Sequence, residues 1–331
     1  MVLATYNGEH FLAEQLTSLA NQLRPPDEVV VVDDASHDHT VALLRDFRVS
    51  APFKVRIVDR KHHLGTAATF AEAMEMATGD IIVICDQDDR WRSDKISVLV
   101  DRMRAEPNAL LAFSDARLID ANGALMDPSR WRVAGFSARQ VQAMARDSFG
   151  QMMSRQIMSG CTSAVRAELI PALLPFPSGL HPDLPDMIYD RWISLLAAAV
   201  GPVALVTDQL VDYRIHRDQQ IGIPALKIRR LAPRAALHLA QFRVTPEQVE
   251  QRTEFHRIHI QEIDRRLLAT GLTSSMSDRQ IQEADEHLRL RTELSPARAE
   301  RVGPVLREFR SGGGYRRFSL GVATALSDLI R

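Results

Sequence analysis

Apolar residues in the early part of this chain alternate between short unbroken runs and positions spaced three or four apart. Val2 to Thr5 reads as the end of a strand, so short that a longer amino terminus is expected, and Tyr6-Asn7-Gly8 supplies a turn. Phe11 or Leu12, Leu16, Leu19 and Leu23 then repeat at helical spacing until Pro25-Pro26, which cannot continue a helix. Glu28 to Val32 suits a strand buried on both faces and ends in Asp33-Asp34-Ala35-Ser36. Val41, Leu44 and Phe47 mark a second helix, and Val55 to Val58 a third strand. After His62-His63-Leu64-Gly65, the positions Phe70, Met74 and Ala77 predict a helix from Thr66 to Ala77, ended by Thr78-Gly79. Ile81 to Ile84 make a fourth strand, which ends in Asp86, Gln87, Asp88 and Asp89. Strand and helix alternating three times predict an α/β fold with a mostly parallel, Rossmann-like sheet and helices on both faces.

Beyond Trp91 the pattern predicts a helix over Ser93 to Met103, a strand over Leu110 to Phe113, and a further strand over Ala116 to Ile119 before the Asn122-Gly123 turn. Residues 125–158 are mixed, rich in Met, and read as a loop or helices over the strand ends. Ser159-Gly160-Cys161-Thr162 leads into a strand to Val165, and the proline-rich 171–185 reads as a loop. Asp190 opens a helix carrying Trp192, Leu195, Leu196 and Ala199, and Val203 to Val206 begins another strand. From about residue 223 the pattern turns helical and rich in Glu and Arg, which divides the chain into an α/β domain, 1–222, and a helical extension, 223–331. In its last segment, Phe318, Val322, Leu326 and Ile330 recur every four residues behind Arg316-Arg317. That segment reads as a docked helix or as one lying on an anionic membrane surface.

Composition narrows the function classes. With 331 residues, 45% hydrophobic, the chain can bury a large core. A formal charge of -1 gives no bulk electrostatic reason to bind nucleic acid. Cys85 and Cys161 form no CxxC pair, so a reducing, cytoplasmic setting is expected. Met1 runs straight into VLATYNG without a basic leader, and the longest apolar stretch, Trp192 to Val206, is too short to span a bilayer.

The candidate chemistry lies at the strand tips. Asp86, Asp88 and Asp89, crowded at the end of a buried strand, repel one another, and a shared divalent cation would relieve that repulsion. All-oxygen ligands suit Mg²⁺ or Mn²⁺. A turn capping the next helix at Ser93 or Asp94 would also explain the acids.

With these residues laid out, the chain resembles the family 2 glycosyltransferases of GT-A fold, in the bacterial branch that includes rhamnosyltransferases of cell-surface polysaccharide assembly. The resemblance is carried by ATYNG at 4–8, DDAS at 33–36, HLG at 63–65, CDQDDRW at 85–91, SGCT at 159–162, YDRWI at 189–193 and YRIH at 213–216. It implies an inverting, metal-dependent hexosyltransferase that uses a nucleotide-diphosphate sugar and a saccharide or lipid-linked acceptor. It also implies residue roles. Tyr6, Asp33, Asp34, Gly65 and Asp86 would bind the donor nucleotide, with Asp34 accepting from the base imide. Asp88 and His216 would hold the metal, and Asp190 would be the general base, preferred to Asp186. Asp89 and Trp192 are candidates for the acceptor side or for supporting positions, with packing the other reading of Trp192. The chain departs from the family pattern at His63, usually Asn, at Tyr189, usually His, and at Gln219-Gln220, often asparagines.

Two other readings remain. A haloacid dehalogenase-type phosphohydrolase also places DxD after a buried strand, but wants that motif near the amino terminus. A non-catalytic nucleotide-sugar-binding scaffold would keep the fold without turnover. A peripheral contact with the inner membrane would bring a lipid-linked acceptor within reach.

Overall fold

The computed structural model describes residues 1–217, 219, 246–274, 283, 286–291, 293–294, 297–311, 314–317, 325 and 329. Nine strands form one sheet: β1 Val2–Thr5, β2 Glu28–Asp33, β3 Lys54–Asp59, β4 Ile81–Cys85, β5 Arg90–Trp91, β6 Leu111–Asp120, β7 Leu125–Met126, β8 Ser163–Arg166 and β9 Val203–Ile215. The order is β3-β2-β1-β4-β8-β6-β9-β5, with β7 pairing β6. β3, β2, β1 and β4 are parallel, β8 runs against both β4 and β6, and β9 is parallel to β6. The carboxyl ends of β1, β2, β4, β6 and β9 therefore point the same way, toward the side where open α/β sheets bind ligands.

Alternation along the strands explains the two cores. Val30 and Val32 pack with α3 (Thr66–Met76) and α9 (Tyr189–Val200), whereas Val29 and Val31 pack with α1 (Leu12–Ala20), α2 (Thr40–Ser50) and α4 (Lys95–Ala105). Each fully buried Val or Leu contributes about 1.5–3 kcal/mol relative to exposure. Residues 125–158 hold β7 and the short helices α5 (Arg130–Val133), α6 (Ala138–Met144) and α7 (Ser148–Ser154), whose buried Trp131, Met144, Phe149 and Met153 join the core on the α9 side.

Several boundaries differ from expectation. α1 stops at Ala20, and Leu23, though in phase, is 75% exposed, because the main chain has already left the helix to bond Ser93. α3 ends at an extended Ala77 rather than a glycine cap. The two strands expected over 110–119 are one, β6, with an irregularity opposite β9 between Ser114 and Ala116. β9 runs to Ile215 and is paired at its far end by β5, a two-residue strand with no periodic signal. The segment expected as a loop from 171 begins inside α8 (Ile170–Leu173). Helical structure recurs after residue 245: α10 (Pro246–Thr270) lies against α8, with Arg266 donating to the carbonyls of Ala172 and Leu173, and α11 covers Arg298–Ser311. The periodic positions Phe318, Val322, Leu326 and Ile330 lie outside the described residues.

Candidate active site

The tips of β1 and β2 are laced together by polar side chains. Asp33 is fully buried; Oδ1 accepts from the hydroxyls of Thr5 (2.8 Å) and Ser36 (2.6 Å), and Oδ2 from the Ser36 amide (2.8 Å). In this arrangement Asp33 pins the loop between Thr5 and Ser36. Asp34 holds the next loop. Its Oδ1 accepts from Arg60 (3.1 Å) and the Leu64 amide (2.9 Å), and its Oδ2 accepts from the Gly65 amide (2.7 Å) and lies 2.9 Å from His63 Nδ1. Burial alone would raise the Asp34 pKa, but those two amides, Arg60 and His63 together hold it below the ordinary value. Gly65, at φ +91, adopts a conformation that L side chains rarely take, and the space where a Cβ would stand is open.

Tyr6 stands 39% exposed at the β1 tip, its ring 4.2 Å from that of His63. Its amide and carbonyl are both bonded to the Gln87 side chain (2.8 and 3.0 Å), which ties the first loop to the acidic loop. Asn7 and Ala35, both non-glycine residues at positive φ, sit at these same tips. Such strain collects where a binding surface is being shaped.

The acidic loop after β4 is the electrostatic centre. One ligand atom each from Asp86, Asp89 and Cys161 lies within 4.8 Å of the others. Burial, then the neighbouring carboxylates Asp89, Asp88 and Asp190, push Asp86 well above its usual acidity range. Burial and Asp88 raise Asp89 to about 7. Asp89 Oδ1 accepts from the Arg214 amide (3.0 Å), while its Oδ2 is buried without a hydrogen-bond partner. Asp88 Oδ2 lies 2.8 Å from His216 Nε2, and the other ring nitrogen, Nδ1, is also buried without a partner. Crowded hard-oxygen donors with an orphaned carboxylate oxygen fit a divalent cation of the Mg²⁺ or Mn²⁺ kind.

Two buried cations brace the site, Arg214 at this loop and Lys95 at the Cys161 turn. Arg214, 2% exposed, donates from Nε to the Asp88 carbonyl (2.8 Å), from Nη1 to the Ala121 carbonyl (3.3 Å) and from Nη2 to Glu14 on α1. Lys95, fully buried under the Trp91 ring (3.1 Å to its centroid), donates to the carbonyl of Cys161. Burial lowers the Lys95 pKa to about 8. The sequence pattern marks neither residue for this role, because each acts through backbone carbonyls far away in the chain.

Asp190, in the first turn of α9, is near enough to Asp86 for its charge to raise the Asp86 pKa. Its Oδ1 accepts from Gln156 Nε2 (3.1 Å), and the amides of Gly160 and Arg191 also donate to its carboxylate. Burial raises its pKa to about 6, against the lowering influence of Arg130 and those amides. The 3-10 turn Gly160–Thr162 thus joins the two groups of acids: Cys161 stands with Asp86 and Asp89, and Gly160 holds Asp190. Asp186, by contrast, accepts from the Gly179 amide (2.6 Å) on an exposed loop. Trp192 is fully buried, donating to the Leu173 carbonyl (3.2 Å) with Arg266 over its ring, so it packs the core and does not wall an acceptor pocket. Asp89, 1% exposed, supports the loop from within.

A methyl group at Gly160 would come 2.1 Å from the Tyr189 hydroxyl. Gly160→Ala must displace the ring beside Asp190, and is expected to cost about 1–3 kcal/mol of stability. It should also lower activity more than any loss of folded protein explains, as read from melting temperature and turnover on the same sample.

Residues 1–168 match the sequence profile of Glycosyl transferase family 2. The chain belongs to that family. The dTDP-rhamnosyl transferase RfbG of Shigella flexneri is 26% identical over 227 residues, spanning 66% of this chain and 73% of that protein. The uncharacterized protein Rv1520 of Mycobacterium tuberculosis is 26% identical over 222 residues, 65% of this chain and 58% of that one. The chain thus spans little more than half the length of its mycobacterial relatives. Among solved structures, S. aureus TarS residues 1–349 in complex with UDP-GlcNAc superposes with a TM-score of 0.54 at 16% identity, covering 99% of this chain and 80% of TarS 1–349. The fold is that of the GT-A glycosyltransferases.

Proposed function

We propose that this family 2 glycosyltransferase moves a sugar from a nucleotide-diphosphate donor to a hydroxyl of a saccharide or lipid-linked saccharide, with inversion, in cell-surface polysaccharide synthesis. The observation that supports it best is Asp190, a buried carboxyl with a pKa raised to about 6, whose charge is felt by Asp86 at the β4 tip. A group of that acidity is ionised at neutral pH yet basic enough to take a proton as it is released. The acceptor hydroxyl gives its proton to Asp190 as its oxygen bonds to the anomeric carbon and the bond to the nucleoside diphosphate breaks. One displacement from the face opposite the leaving group inverts that carbon.

On the donor side, Tyr6 and His63 offer rings to the base, and the open space at Gly65 admits close backbone approach. Asp34, with all four of its acceptor positions engaged by its own chain, shapes this pocket in the structure described, and reaches a base imide only if one of those bonds is exchanged. Asp86, Asp88, Asp89 and His216 would hold Mn²⁺ or Mg²⁺, which when bound neutralises the leaving diphosphate. None of the described helices is long and apolar enough to cross a membrane. The reading places the enzyme in the cytoplasm, in peripheral contact with the inner membrane.

The test is release of nucleoside diphosphate from a panel of nucleotide sugars with Mn²⁺, beginning with dTDP-rhamnose, after the name of the Shigella relative. Release of free phosphate instead would favour the phosphohydrolase, and binding without release the scaffold. Turnover should rise with pH through about 6 as Asp190 loses its proton, and be lost below it. A flat profile between pH 5 and pH 7 would remove Asp190 as the base.

A further inference from the structure

Arg130, the first residue of α5, has one described polar bond, from Nε to the Ser159 hydroxyl (3.1 Å). Among the described residues its two terminal nitrogens have no hydrogen-bond or ion-pair partner. Ser159 precedes Gly160, whose amide donates to Asp190, and the Arg130 charge bears on both Asp190 and Tyr213. The guanidinium is therefore anchored at one corner beside the base, with a free planar fork. Such a fork matches a phosphate or carboxylate through two parallel bonds.

The charge around it points the same way. Residues 125–158 carry Arg130, Arg132, Arg139, Arg146 and Arg155 against Asp127 and Asp147, a local charge of +3 in a chain of -1, with Arg132 lying 3.9 Å from Asp127. Arg155, at the end of α7 next to Gln156, keeps its Nε buried and without a hydrogen-bond partner. The segment that supplies Gln156 to Asp190 is thus opposite in net charge to the acidic loop, with Arg132, Arg139 and Arg146 on its exposed side.

We propose that Arg130 forms an anion subsite on the acceptor side, which reads a phosphate or carboxylate carried by the acceptor near the hydroxyl that reacts. The proposal rests on the reading of Asp190 as the base that faces the acceptor. It assigns the donor diphosphate to the acidic loop and the acceptor anion to α5, so the two negative groups enter from different sides.

The test uses the full chain with Mn²⁺ and a saturating concentration of whichever of UDP and dTDP raises its melting temperature, so that the diphosphate site is filled. Glucose 1-phosphate, glucuronate and methyl glucoside are then titrated by ligand-observed NMR. At least one of the two anions should bind about tenfold more tightly than methyl glucoside, and which one does tells phosphate from carboxylate. Arg130→Gln should remove that preference, Arg130→Lys should restore part of it, and both should leave nucleoside diphosphate affinity within about twofold. Three results would overturn the proposal: no preference for either anion in the unmodified protein, a preference that survives Arg130→Gln, or an equal loss of nucleoside diphosphate affinity in that variant. If neither nucleotide binds, the donor-site reading fails, and the same titrations with Mn²⁺ alone still report on Arg130.

Discussion

Asp190→Asn is expected to slow transfer by about 10³-fold, within the range lost with a general base, and to leave donor affinity nearly unchanged. That factor corresponds to about 4 kcal/mol of transition-state stabilisation. The side chain keeps its size, and the change removes a charge that burial disfavours, so the fold should tolerate it. Binding and catalysis then separate cleanly. Titration with nucleoside diphosphate should match the unmodified protein while single-turnover transfer collapses, and the rise of rate with pH near 6 should vanish with it. Unimpaired transfer in this variant would leave the proton without an acceptor and end the assignment.

Asp88→Asn should show the reverse separation. Asp88 bonds His216, and its charge helps to raise the pKa of both Asp86 and Asp89. Removing one carboxylate from a cation site should weaken Mn²⁺-dependent nucleoside diphosphate binding by about 10²-fold or more, since even supporting partners of metal ligands are worth 10–100-fold. Without metal, the same change relieves repulsion among buried like charges, and the melting temperature should stay level or rise. Calorimetry with and without Mn²⁺ reads both effects. A variant that binds donor normally with Mn²⁺ would show that the acids serve another purpose.

The parallel half of the fold was legible because its signals are local: an apolar run, an acidic tip, then a helix of regular period. Asp86 and Asp88 follow a strand, and Asp190 opens a helix, that the sequence announces, whereas His216 follows a strand longer than the pattern predicts. What stayed hidden depends on partners distant in the chain. Nothing around Arg90 and Trp91 announces a strand, since their order comes from pairing with Val211 and Asp212. Lys95 looks like an ordinary helical lysine until Trp91 and Cys161 close around it. Asp33 and Asp34 look equivalent in sequence. Asp33 closes on Thr5 and Ser36, whereas Asp34 reaches across to Arg60 and the 63–65 loop. Trp192 sits in a helix with apolar residues on several sides, and the pattern could not tell a core-facing ring from one facing a pocket.

Arg214 carries a lesson about where this catalytic unit stops. The matched family region closes at residue 168, yet the guanidinium that ties the acidic loop to α1 and the Ala121 carbonyl comes from β9. A fragment cut at that border would keep the loops at the tips of β1, β2 and β4 and lose both Arg214 and Asp190. For anyone dissecting or recombining such enzymes, the smallest piece worth excising must extend past His216.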